Sequence, residues 1–374
     1  MMKNIDKQEK YYYEIKDDIE AFPDAWTYIV YGGRAVGKTY GALSLMLDLN
    51  EKFVFCKRTI DDTKLICAGN SLYTVKNKKR CENTFNVDLS PFKSINRDRG
   101  TNIRAFQIYD GLGVFYHCDE NNYPIDKDPI GYILALSAIS KFRGFDLSEC
   151  TYMIFDEFVP KSYDRIVKNE GYEILDLYKT VARDREHRGL PPLKLICLAN
   201  ADKVNSPVAN TLEITDDVAQ MQLQQSTYFY NEHRGIFIRR IKKNEAFLEK
   251  EMQSKINIAM AGTQWGKMST DNDFAFDDFS YVNKLPLKKC KGICSFSYNN
   301  KTYYLYAHPD GTYYICQSQH KIGKHYDLSR TGDKRSFNIN VAYPLRRACE
   351  LDKFVCCSYS VYELIMNFVK IMNL

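Results

Sequence analysis

The stretch "WTYIVYGGRAVGKTYGALSLMLDLN", residues 26–50, constrains the chain more than any other. Residues 26–31 are β-branched and aromatic and stop at Gly32-Gly33, which reads as a buried strand entering a tight turn. Good helix formers follow Thr39, with apolar residues at Leu43, Met46 and Leu47. Strand, glycine loop and helix in that order form the setting in which Gly-x4-Gly-Lys-Thr cradles phosphate. Glycines let the loop curve without Cβ clashes, so backbone amides can face a β-phosphate. Gly32, Gly33, Arg34, Ala35, Val36, Gly37, Lys38 and Thr39 are therefore the expected nucleotide-binding residues. Lys38 would neutralise the β- and γ-phosphates and Thr39 would give its hydroxyl to Mg2+. The following helix adds its positive N-terminal dipole. ATP and Mg2+ are the expected cofactors.

A phosphoryl-transfer site also needs a carboxylate beside the magnesium and a base beside the attacking water. "MIFDEF", residues 153–158, places Asp156 and Glu157 directly after an apolar run, at the carboxyl end of a strand where α/β sheets bind ligands. Asp156 is the expected magnesium carboxylate, through bound water, and Glu157 the catalytic base. Further apolar runs at 52–58 and 193–200, the latter preceded by a helix over about 169–186, make four buried strands joined by helices. That predicts a mainly parallel α/β sheet covered on both faces. One intervening strand and a glutamate after the aspartate resemble the P-loop ATPases of the additional-strand, catalytic-glutamate division. Asn200, ending "LICLAN", would be the polar sensor of the γ-phosphate or the water. "TVARDREHRG", residues 180–189, offers Arg183, Arg185 and Arg188 as candidate arginine fingers, since fixed positive charge stabilises the γ-phosphoryl oxygens in the transition state.

The remaining chain divides by pattern. The ATPase domain is expected over 1–204, with an insertion at about 59–150 that holds a hairpin turning at Asp110-Gly111. A linker over 205–228 leads to an α+β domain over 229–374. There a helical segment near 243–261 precedes an antiparallel meander over 292–317, turning at Asn299-Asn300 and Pro309-Asp310-Gly311, and an amphipathic helix closes the chain. With 52 Lys and Arg against 47 Asp and Glu, the formal charge is only +5, so attraction to nucleic acid must come from local clusters. Lys76, Lys78, Lys79 and Arg80 are the densest such run in the first domain and the candidate DNA phosphate contacts. The twelve cysteines are scattered through apolar runs, as expected of free buried thiols in a reducing compartment. The amino terminus lacks a signal pattern and no long apolar run occurs, so a soluble protein with no membrane partner is expected.

Taken together, "IVYGGRAVGKTY", "MIFDEF", "TVARDREHRG" running on to "LICLANA", and "WGKMSTDN" resemble one family. They look like the DNA encapsidation (genome packaging) ATPases of small short-tailed bacteriophages with protein-primed linear genomes. The order and separations agree over most of the chain. The resemblance implies a homomeric ring, expected as a pentamer, docked on a viral portal in the host cytoplasm and translocating double-stranded DNA into a procapsid. It makes Arg183 the finger acting in trans, with Lys141, or equally Arg143, as a second basic residue across the subunit boundary. In larger packaging motors the second domain is a ribonuclease-H-like nuclease. Here Asp271, Asp273, Asp277 and Asp278 cluster in one loop and read as a solvated acidic turn, so the resemblance implies a vestigial domain that docks nucleic acid or portal. In some relatives that domain meets a structural RNA, a further candidate partner. Two other readings compete: a helicase or single-strand translocase of the same division, and a nucleotide-gated assembly scaffold. The intact Asp156-Glu157 pair argues against the scaffold, because a pure binding site needs no base.

Overall fold

The computed structural model describes residues 12–68, 88–142, 144–161, 164, 166–243, 245–263, 266, 274, 277–318 and 323–368. The chain divides into two compact units, Met1–Ile214 with Gln224–Phe276, and Thr215–Leu223 with Asp277–Leu374. The helices are α1 Ile15–Ala21, α2 Lys38–Leu49, α3 Ile60–Cys67, α4 Lys93–Arg99, α5 Glu170–Ala182, α6 Pro207–Thr211, α7 Thr215–Leu223, α8 Glu245–Met252, α9 Lys255–Met260, α10 Thr331–Phe337, α11 Tyr343–Glu350 and α12 Tyr359–Met366. Among the described residues no helix is long and apolar enough to cross a membrane.

The first unit is built on one nine-stranded sheet. Its strands are β1 Thr27–Gly32, β2 Phe53–Lys57, β3 Ile103–Tyr109, β4 Leu112–His117, β5 Gly131–Ala135, β6 Tyr152–Asp156, β7 Lys194–Asn200, β8 Tyr228–Asn231 and β9 Ile236–Arg240, in the order β3-β4-β5-β2-β6-β7-β1-β9-β8. From β5 to β9 the pairing is parallel, and an antiparallel strand or hairpin closes each edge. Every residue of β1 is buried, so both faces of the central strands are covered, as their unbroken apolar runs require. β7 lies between β1 and β6, which is the intervening strand expected from the sequence. The register sets Gly32 beside Asn200 and Asp156 beside Leu198, so the carboxyl ends of β1, β6 and β7 finish level.

Two expectations change. The segment read as an insertion over 59–150 is not an appendage in its described part: β3, β4 and β5 extend the main sheet beyond β2. The boundary expected at residue 229 falls inside that sheet as well. Ile236, Phe237 and Ile238 are buried against β1, whose edge would otherwise stand open to water. Within the segment read as a linker, α6 belongs to the first unit and α7 to the second.

Gly171, early in α5, allows a close approach to α6. A Cβ there would stand 2.1 Å from Thr211 Oγ1 and 2.4 Å from the Pro207 carbonyl oxygen. Replacing glycine by alanine inside a helix ordinarily stabilises by about 1 kcal/mol. Here a backbone oxygen blocks the methyl group, and Gly171→Ala is expected to destabilise by ~1–3 kcal/mol. The check is a lower denaturant midpoint at unchanged slope.

The second unit has a five-stranded sheet in the order β13-β10-β11-β12-β14, with β10 Lys291–Tyr298, β11 Lys301–Ala307, β12 Tyr313–Cys316, β13 Lys324–Asp327 and β14 Phe354–Cys356. The expected meander forms its centre. Asn299 and Asn300 both take left-handed φ, 47° and 60°, as a tight two-residue hairpin turn demands. The parallel edge strands β13 and β14 had no counterpart in the sequence reading. α12 lays Val361 and Ile365 on the core with Phe296 and Leu305, while α7 is tied to it by Asp216, which accepts from Ser360 N at 2.8 Å and Ser360 Oγ at 2.7 Å. Asp277 is more than a solvated turn residue: Tyr359 donates its hydroxyl to Asp277 at 2.5 Å and to Glu363 at 3.0 Å. Asp278 accepts from Ser280 N within its own loop, and Asp271 and Asp273 lie outside the described residues.

Eleven of the cysteines are described, and all are free. Cys56 and Cys197 stand in central strands with no exposure, and burial pushes both thiols far above their usual pKa.

Candidate nucleotide site

The glycine loop leaves the end of β1 and enters α2 at Lys38. Gly37 caps the helix with φ 93°, a conformation open to glycine, and a Cβ on it would press to 3.2 Å from Tyr12 Cβ. The segment before α1 thus lies against the loop, and Tyr13 N donates to the Val36 carbonyl at 3.0 Å. Lys38 Nζ donates to the carbonyls of Gly32 at 3.0 Å and Gly33 at 2.5 Å, and to Asn200 Oδ1 at 3.2 Å. Burial lowers its pKa to about 8, against the pull of Asp156 and Asp202. An ammonium held at the cleft wall by neutral oxygens alone is poised for an anion.

Thr39 Oγ1 donates to Asp156 Oδ1 at 3.1 Å. A hydroxyl and a carboxylate so placed supply the hard oxygen donors that Mg2+ takes, so the residues present fit that ion. On the other side of Asp156, Lys57 at the end of β2 donates to Asp156 Oδ2 at 2.9 Å and to Glu157 Oε2 at 3.3 Å. Burial alone would lower the Lys57 pKa, but the two carboxylates outweigh it and the net shift is upward. Asp156 is largely covered, its side chain 13% exposed, whereas that of Glu157 is 61% exposed.

Glu157 has φ 58°, a left-handed backbone that costs a non-glycine residue about 1 kcal/mol. Arg58 holds this turn from below: Nη2 donates to the carbonyls of Glu157 at 2.8 Å and Phe158 at 3.2 Å, while Nε donates to Glu170 Oε2 at 2.8 Å. Arg34 to Tyr40, Tyr12, Ser94, Arg97, Asp98, Asp156, Glu157, Lys161 and Asn200 line one cleft of about 590 Å³. The expected loop residues and both acidic residues therefore converge there. Gly32 and Gly33 take part through the carbonyls that hold Lys38.

Arg183 is not in that cleft. It follows α5 with φ 46° and ψ −121°, and its guanidinium donates to the carbonyls of Phe145 at 2.8 Å and Gly144 at 3.3 Å. With Gly144, Thr180, Asp184 and Arg188 it lines a separate, open hollow. Arg185 is instead buried and structural, donating to Ser148 O at 2.9 Å, and Arg188 pairs with Asp184. Lys141 lies 5.5 Å from the centre of the Tyr109 ring. Arg143, Lys76, Lys78, Lys79, Arg80 and all of "WGKMSTDN" except Gly266 lie outside the described residues.

Sequence reasoning missed Lys57, Arg58, Glu170 and Tyr12. Lys57-Arg58 did carry a signal: "FVFCKR" puts two cations at the end of a buried strand, the position that singled out Asp156. Glu170 carried none, since nothing local marks a helix residue as the partner of an arginine 112 positions earlier.

Residues 112–367 match the family described as Podovirus DNA encapsidation protein (Gp16), a match that begins after the glycine loop. The DNA packaging protein of Bacillus phage B103 is 27% identical over 161 residues, which cover 43% of this chain and 46% of that protein. The DNA packaging protein of Bacillus phage phi29 is 27% identical over 179 residues, 48% of this chain and 49% of that one. The chain spans about half the length of the curated relatives it matches. Among solved structures, the bacteriophage Phi-29 viral genome packaging motor assembly contains a chain with TM-score 0.62 at 18% identity, covering 97% of this chain and 100% of that one. The Phi-28 gp11 DNA packaging motor gives 0.53 at 17% identity, covering 97% and 98%. At such identities the likeness is one of fold.

Proposed function

The chain belongs to the Podovirus DNA encapsidation protein (Gp16) family, and on that premise we propose that it is a packaging motor ATPase, coupling ATP hydrolysis at subunit interfaces to translocation of double-stranded DNA into a procapsid. The observation that carries this reading is a division of labour. Lys38, Thr39, Asp156 and Glu157 meet in one cleft, while Arg183 stands on a different, open hollow. A site whose candidate finger, Arg183, stands outside it is the kind that a neighbouring subunit completes.

In this reading the loop amides and Lys38 bind the β- and γ-phosphates, and Lys38 leaves the Gly32 and Gly33 carbonyls to do so. Thr39 and Asp156 hold Mg2+, which supplies charge neutralisation at the phosphates. Glu157 accepts the proton of the attacking water once it swings away from Lys57, which its exposure permits. Asn200, released by Lys38, is free to sense the γ-phosphate or the water. The sheet order supports assignment to the additional-strand, catalytic-glutamate division. The rest of the proposal follows the family: a pentameric ring on the portal in the host cytoplasm, with Lys141 or Arg143 assisting Arg183. Lys76, Lys78, Lys79 and Arg80 would contact DNA, and the second unit would be a vestigial ribonuclease-H-like domain that docks portal, nucleic acid or a structural RNA.

The test is ATP hydrolysis measured against protein concentration, with and without long double-stranded DNA. Specific activity that climbs with concentration and is stimulated by duplex is the expected result. Turnover indifferent to both would leave only a generic ATPase. Stimulation by single strands, with unwinding, would favour a helicase.

A further inference from the structure

We infer that Arg58, locked by Glu170, is the positioning residue that sets the backbone turn of the catalytic glutamate. Three observations converge. Arg58 and Glu170 form a buried pair, the arginine 6% and the glutamate 0% exposed, joined through Nε to Oε2 at 2.8 Å and Nη2 to Oε1 at 3.2 Å. The fork that this pairing fixes also presents Nη2 to the carbonyls of Glu157 and Phe158. Glu157 itself sits at positive φ, a conformation that persists only where its surroundings impose it.

The planarity of the guanidinium matters. Its donors lie in one rigid fork, so Glu170 orients the group and the remaining donor reads the two carbonyls. Lysine has the charge and three donors but places them all on one freely rotating nitrogen, so it cannot hold the carboxylate and the turn carbonyls from separate atoms in fixed directions. The Arg58 guanidinium lies 6.0 Å from the Phe155 ring centre, which walls one side, and Asp164 approaches Nη1 at 3.7 Å. Glu170 is the first residue of α5, where a carboxylate also faces the positive end of the helix. One arginine thus joins the catalytic turn to the helix that ends at Arg183, and the question is which end it serves.

This inference rests on the roles proposed for Glu157 and Arg183, and the experiment separates the two. Arg58→Lys and Glu170→Gln are each tested for thermal unfolding, for affinity toward a fluorescent ATP analogue with Mg2+, and for turnover. Nucleotide affinity within about threefold of wild type is expected together with turnover lower by about tenfold to a hundredfold, the scale of a misplaced reacting group. Each variant is then mixed with Arg183→Ala or with Glu157→Gln subunits. If Arg58 positions its own glutamate, mixing with Arg183→Ala restores turnover, because that partner keeps a sound Glu157 and receives a sound finger. Mixing with Glu157→Gln restores nothing. The reverse pattern would assign Arg58 to the finger and overturn the inference, as would unchanged turnover, or affinity that falls in step with turnover. Should Arg58→Lys fail to fold, Glu170→Gln carries the test, since it keeps the shape of the pair and removes only its charge. Full turnover by Arg183→Ala alone would sink the shared-site reading instead, leaving Arg58 to be judged on turnover against affinity in the single protein.

Discussion

Glu157→Gln is expected to bind ATP as the wild type does and to hydrolyse it about 10²–10⁴ times more slowly, the usual contribution of a general base. The substitution keeps length and shape while removing the proton acceptor. It also takes the charge out of the 3.3 Å contact with Lys57, but that contact lies on an exposed side chain and contributes little to stability. The residues proposed to bind the phosphates, Lys38 and the loop amides, and those proposed for Mg2+, Thr39 and Asp156, are all left in place by the change. Quench-flow hydrolysis beside a nucleotide titration makes the measurement. Turnover within tenfold of wild type would exclude Glu157 as the base.

Arg183→Ala is expected to lower turnover by about 10³-fold with equilibrium binding to the lone subunit unchanged, on the scale of arginine fingers supplied in trans. The guanidinium spends its donors on the carbonyls of Gly144 and Phe145 at the surface, so its loss leaves the fold intact. The sharper test uses two inactive proteins. Arg183→Ala and Glu157→Gln subunits, mixed, should recover part of the lost hydrolysis, because one brings the base and the other the finger. A mixture no more active than its parts, or full activity in Arg183→Ala alone, would show that Arg183 does not reach a neighbour's nucleotide.

What could be read from the sequence was what sits in contiguous apolar runs. β1, β6 and β7 are buried on both faces, so each announces itself as an unbroken stretch, and its end residue, Gly32, Asp156 or Asn200, marks the carboxyl edge of the sheet. β8 is half-buried along its whole length and β13 is exposed over half of its four residues, so neither has a strong local pattern, and only pairing with β9 and β10 makes them strands. The domain boundary was misplaced for that reason. Partnerships across the fold were beyond reach: Lys57 meets Asp156 over 99 positions and Arg58 meets Glu170 over 112. Composition and spacing report what a residue is, whereas these roles depend on which strand ends the topology places side by side.

The position of β1 has a consequence for how a ribosome delivers this protein. The strand that carries the glycine loop emerges early, yet both of its sheet neighbours, β7 and β9, come from far downstream. Lys38 finds Asn200 only after 162 further positions have been made, and Trp26 donates its indole N–H to Arg234 across 208. At ordinary translation rates of ~5–20 residues per second, the nascent loop waits ten seconds or more, roughly, for the strands that give it shape. A chain that ends before β7 and β9 therefore lacks both strands that flank the glycine loop, and no such fragment can hold the loop in the shape seen here.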